Sequence, residues 1–175
     1  METCDGLARL LEYPGEGYIE TTLRCLETMR LADAEAASCL EAFAGTVRNL
    51  STEQLQELFI QTFDLNPACV LEVGWQLFGD DYKRGEFLVR MREELRAHEL
   101  AESGELPDHL THVLRLVARM EAEEAGAFAS LFVLPAVEKM LAGLSGKHNP
   151  FENILLAIRC LLSRRVSAAQ EVKRA

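Results

Sequence analysis

The chain has 175 residues, 49% of them hydrophobic and 26% charged, with a formal charge of -10. That length and composition suit one globular domain with a real core, and exclude a disordered or fibrous chain. Acid on this scale repels phosphate backbones, so no nucleic acid is expected as a partner; a basic peptide is the better electrostatic match. The last seventeen residues run the other way, with Arg159, Arg164, Arg165, Lys173 and Arg174 against the single acid Glu171.

Apolar residues recur at helical spacing almost throughout, and no alternating strand of useful length appears. A first helix is predicted over residues 3–12, stopped by Tyr13-Pro14-Gly15. A second covers 16–31 and buries Ile19, Leu23 and Leu26. A third covers 33–50, capped by Asp33, with Leu40, Phe43 and Val47 inward. Ser51 through Gln54 reads as a capping box, and the helix behind it ends near Asp64 because Asn66-Pro67 disfavours continuation.

A short helix is predicted over 68–78, stopped at Gly79. Asp80 and Asp81 begin a longer one carrying Phe87, Leu88, Met91 and Leu95. After a break at 101–104, Pro107 suits the first turn of the next helix, with Asp108 able to accept amide bonds at its start and Leu106 pinning the linker to the core. Glu121, Glu123 and Glu124 open a helix running to about Leu144, bent by Pro135. Residues 145–150 form a loop, and a last helix carries Ile154, Leu155, Ile158, Leu161 and Leu162. The expectation is a single all-α domain over 1–175, a compact irregular bundle of about eight or nine helices, with a basic, disordered tail from about residue 166.

No catalytic constellation is present. Gly15-Glu16-Gly17 lacks a following P-loop lysine, and no serine elbow exists. The odd cysteines Cys4, Cys25, Cys39, Cys69 and Cys160 have no C-x-x-C pair and read as small hydrophobes in a reducing compartment. Neither a metal nor a cofactor is expected. The acidic start Met1-Glu2-Thr3-Cys4-Asp5 is unlike a secretory signal, and the uncharged run 125–137 is too short to span a bilayer, so the chain is expected in the cytoplasm. Two alternatives remain, a helical metal-binding enzyme built on Glu105, Asp108, His109 and His112, or a generic interaction scaffold.

Three stretches carry a resemblance. They are Leu55-Gln56-Glu57-Leu58-Phe59-Ile60-Gln61-Thr62-Phe63-Asp64, then Phe78-Gly79-Asp80-Asp81-Tyr82-Lys83-Arg84-Gly85, then Gly104-Glu105-Leu106-Pro107-Asp108-His109-Leu110. With Leu10-Leu11-Glu12-Tyr13-Pro14 before them and Asn149-Pro150-Phe151-Glu152-Asn153 after, the ordered set resembles the NarJ-like assembly chaperones of molybdenum-containing reductases. The resemblance implies an all-helical, non-catalytic protein. It implies a partner too: the N-terminal segment of a molybdoenzyme's catalytic subunit, held in the cytoplasm while the molybdenum cofactor is inserted.

On that reading Glu105, Pro107, Asp108 and His109 meet the client peptide, Asp108 and Glu105 as an acidic contact and His109 tuning the patch. Phe63 and Trp75 border the peptide groove. Phe59, Asp64, Gly79, Asp80, Arg84 and Gly85 serve the fold, Phe59 as core and Arg84 paired with Asp64 or Asp80. The competing structural reading of 105–109 is a well-capped helix start.

Overall fold

A computed structural model describes residues 2–174, with side chains through Gln170. The elements are α1 (Glu2–Leu10), α2 (Tyr18–Ala32), α3 (Ala34–Val47), α4 (Thr52–Phe59), α5 (Val73–Phe78), α6 (Lys83–Ala97), α7 (Leu110–Val117), α8 (Ala122–Phe128), α9 (Leu134–Leu144) and α10 (Phe151–Arg174). A π-helical turn, Ile60–Asp64, continues α4, and another, Ala129–Val133, joins α8 to α9. Counting that joined pair as one rod gives nine helices among the described residues, and no named strand. The all-α bundle expected from periodicity is what forms.

Local chemistry sets several boundaries as read. Asp33 caps α3, its Oδ1 accepting from the amides of Glu35 and Ala36 at 3.1 Å each. The capping box at Ser51 is complete, with Gln54 reaching back to the Ser51 amide at 2.9 Å. Pro135 does not stop its helix. It stands at the start of α9, where a missing amide costs little, and the π-turn before it takes up the adjustment. The rod from Ala122 to Leu144 has the length and hydropathy to cross a membrane, but its Phe128, Val133, Val137, Met140 and Leu144 are buried inside the bundle.

The predictions fail where tertiary contacts take over. Residues 68–72 are not helical; α5 starts only at Val73. Leu71 and Val73 instead exchange backbone bonds with the 108–110 segment: Leu110 N–H donates to Leu71 O (2.8 Å) and Val73 N–H to Asp108 O (2.9 Å). Leu23 is 47% exposed rather than buried, and Leu106 is 43% exposed and pins nothing. The segment from 166 expected as a disordered tail continues α10 to Arg174, since no Gly or Pro follows Pro150 to stop it. The basic side chains of Lys173 and Arg174 lie outside the described residues.

α10 is the central strut, packed on α3, α8 and α9. Its first residue, Phe151, is fully buried and meets Phe43, Phe59 and Phe63 at ring distances of 5.4, 5.7 and 5.1 Å. Each such ring contributes roughly 1.5–3 kcal/mol through burial, so this cluster anchors the end of the bundle that carries the site.

Candidate functional site

Above the aromatic cluster lies a cleft of about 640 Å³. Its apolar surface comes from Leu11, Tyr13, Phe59, Phe63, Val70 and Leu71, and its polar surface from Glu12, Asp64, Glu72, Ser103, Glu105, His109, Thr111 and Arg115. Segments far apart in sequence meet here: the end of α1, the π-turn after α4, the 70–72 segment, the 103–109 loop and α7. Tyr13 lies edge-on to Phe59 at 5.8 Å, and Gln56 Nε2 donates to Pro14 O at 2.8 Å, tying 13–14 to α4. From the other side, Asn149 Nδ2 donates to Thr62 Oγ1 at 2.7 Å and fixes the π-turn to the start of α10. Three of the five stretches behind the resemblance thereby line one cleft, and a fourth braces it from behind through Asn149 and Phe151; π-turns recur at such places in proteins.

Four carboxylates line the cleft (Glu12, Asp64, Glu72, Glu105) against one guanidinium, Arg115, which Glu12 already holds in an ion pair. Burial raises the Glu72 carboxyl above its ordinary range; Asp108 and Glu105 push the same way, and Arg84 opposes them. His109 is uncharged at neutral pH. Burial lowers it to about 4, with His112 and Arg115 adding repulsion. Its Nδ1 accepts from the Thr111 amide (3.4 Å) and faces the Thr111 hydroxyl at 2.8 Å, making His109 the cap of α7. An apolar floor under an acidic rim fits a segment with one apolar and one basic face.

Asp108 behaves unlike the expected surface acid. It is fully buried, it does not cap α7, and its Oδ2 accepts from the Gly74 amide at 2.8 Å. Burial raises its carboxyl, opposed by that amide and by Arg84. A direct contact between Asp108 and a bound peptide has no geometric basis here. The side chain instead holds 73–74 against 108–110, just behind Glu72 and His109. Only glycine fits at 74: a Cβ there would sit 2.6 Å from Asp108 Oδ2.

Pro107 is buried and does not line the cleft. Trp75 is half-buried outside it, its Nε1 donating to Pro67 O at 3.4 Å. Arg84 pairs with neither Asp64 nor Asp80 as had been expected; its guanidinium lies over the Trp75 ring, 5.2 Å from the centroid. Its Nε and Asp108 Oδ1 are buried without hydrogen-bond partners among the described residues. Gly79, Asp80 and Gly85 line a separate shallow depression with Arg84, Leu88 and Leu106.

The metal alternative finds no support. His112 has both ring nitrogens committed, Nδ1 toward Leu106 O at 2.9 Å and Nε2 accepting from the Ser103 amide at 3.1 Å. It clips the 103–106 loop that brings Glu105 to the cleft. Among the described residues no group of three His, Cys, Asp or Glu side chains stands ready to hold a metal.

Glu72 and Arg115 were missed at the sequence level. Glu72 falls in a stretch read as helix, and only its pairing with 108–110 turns it to the cleft. The clip by His112 has one signal in the sequence, its three-residue spacing from His109, which equally suits a ligand pair.

A family model described as "Nitrate reductase delta subunit" matches residues 27–151, which include every cleft residue except Leu11, Glu12 and Tyr13. No curated protein matches the chain.

Proposed function

We propose that this chain, which belongs to the nitrate reductase delta subunit family, is a system-specific assembly chaperone that binds the N-terminal segment of a nitrate reductase catalytic subunit or a related molybdoenzyme. It acts in the cytoplasm and without catalysis, supporting molybdenum cofactor insertion before the client docks at the membrane or is exported. The observation that carries this reading is the convergence of three of the segments behind the resemblance on one cleft with an aromatic floor and an acidic rim.

The client segment binds as an amphipathic helix, its apolar face over Phe59, Phe63 and Leu71 and its basic residues toward Asp64, Glu72 and Glu105. Binding of this kind buries apolar surface and lowers the heat capacity. Asp108, Gly74 and His112 act behind the wall as positioning residues.

Calorimetric titration with a synthetic peptide of the client's N-terminus tests this. Saturable binding with a negative heat-capacity change is expected, weakened by the charge reversals Asp64→Lys and Glu105→Lys. An intact client that binds through other domains, with the peptide never competing, would sink the reading.

A further inference from the structure

The loop that carries Ser103 and Glu105 to the cleft is held almost entirely by polar contacts. All its residues from Ala101 to Leu106 are exposed, so burial does little to fix it. It leaves α6 through Glu99 at φ 55°, a left-handed conformation that costs a non-glycine residue energy. On its outer side Arg92 Nε donates to the Glu102 carboxylate at 3.0 and 3.1 Å, and within it the Glu105 amide donates to Ser103 Oγ at 3.2 Å. Inward, the His112 ring, 1% exposed, grips the loop at two points. Its Nε2 accepts from the Ser103 amide at 3.1 Å, and its Nδ1 lies 2.9 Å from Leu106 O.

We propose that the 101–106 loop is a pH-sensitive strap at the rim of the cleft, clasped by the neutral His112 ring and released when that ring takes a proton. The two bonds specify one form of the imidazole. Nε2 faces an N–H and must be bare, so the hydrogen sits on Nδ1 and donates to the Leu106 carbonyl. A second proton goes to Nε2 and sets N–H against N–H at 3.1 Å, which breaks the grip on Ser103.

Other charges stand on the elements around the ring. From α1, Glu12 and Asp5 are already paired with Arg115 and Arg119, and on α6 Arg92 is paired with Glu102. His98, at the end of α6, turns its Nδ1 to Glu94 O at 3.0 Å. The His109 ring lies 6.5 Å away and stays neutral until about 4. Glu105 travels with the strap, and the buried Asp108 carboxyl is the competing titrating group. The consequence for binding rests on the reading of the cleft given above: release takes Glu105 from the acidic rim and weakens a basic peptide, and a bound peptide in turn holds the strap closed.

Hydrogen exchange of the full chain between pH 7.5 and 5.5, with no client present, tests the strap apart from the binding reading. Corrected for intrinsic rates, protection of the Ser103 amide should fall about tenfold for each pH unit below the titration of the ring, one proton per opening. Amides of α3 and α10 should keep theirs. His112→Gln offers Ser103 an acceptor that takes no proton, so its loop protection should not vary with pH; Asp108→Asn should respond as wild type does. If the glutamine variant folds poorly, wild-type NMR decides, since the His112 ring shift and Ser103 exchange must share one midpoint. Four results overturn the proposal: a ring that stays neutral until α3 and α10 unfold, Ser103 protection that holds while the ring titrates, a response that survives in His112→Gln, or one that vanishes in Asp108→Asn.

Discussion

Replacing Asp108 by alanine deletes a carboxylate with no exposed surface whose Oδ2 takes the Gly74 amide at 2.8 Å. The amide is then buried without a partner, which costs about 1–3 kcal/mol, and the small void left by the carboxyl adds to that. A loss of about 2–3 kcal/mol is expected, lowering the melting temperature by about 5–10 °C in a domain of this size. Asp108→Asn keeps an acceptor for Gly74 and removes a charge that burial already disfavours, so its loss should stay near 1 kcal/mol or below.

The raised carboxyl pKa gives a sign to check. Wild type gains stability below the ordinary aspartate pKa and loses it as pH climbs through the raised folded value; Asp108→Asn lacks this component. Urea unfolding of wild type and both variants across that range measures all of it. Gly74→Ala extends the test, since its Cβ would meet Asp108 Oδ2 at 2.6 Å and Phe87 Cδ1 at 3.0 Å. It should cost less in the Asp108→Ala background, where the first clash is gone. Stability of Asp108→Ala within about 0.5 kcal/mol of wild type, the range of ordinary surface changes, would refute the account. Equal losses in the Asn and Ala variants would shift the role from the Gly74 amide to the charge facing Arg84.

Removing one rim charge, by Glu105→Gln or Asp64→Asn, should weaken a basic client peptide by about 0.5–2 kcal/mol in calorimetry, and the difference should shrink as salt rises. Asp108→Asn, with no surface to offer, should leave that binding nearly unchanged. His109, lowered to about 4, should make the protein lose up to about 3 kcal/mol as pH falls from about 6.5 toward 4, because the unfolded chain takes the proton first. His109→Asn retains a cap and should flatten that slope in acid unfolding curves; an unchanged slope would assign it to other groups. Phe151→Ala, which opens the contact among Phe43, Phe59 and Phe63, should cost about 3–5 kcal/mol by urea titration, and a loss under about 1 kcal/mol would contradict a central role for the cluster.

Helix identity was legible along the chain because it depends on neighbours three and four residues away. The caps at Asp33 and Ser51, and the core roles of Phe43, Phe59 and Leu40, follow from that spacing alone. The stretches carrying the family resemblance were visible too, but not their division of labour. Of the six residues expected to meet the peptide, Glu105, His109 and Phe63 line the cleft, while Pro107, Asp108 and Trp75 do not.

An aspartate at a helix start reads as an exposed cap because local geometry usually makes it one. Here Leu71 and Val73 approach from another part of the chain, bond to 108–110 and enclose the carboxylate. The same approach unwinds 68–72 and turns Glu72 into the cleft. Periodicity reports which residues leave water; it holds no information on which buried surface they join, and that pairing of distant segments decides where the charges of this site end up.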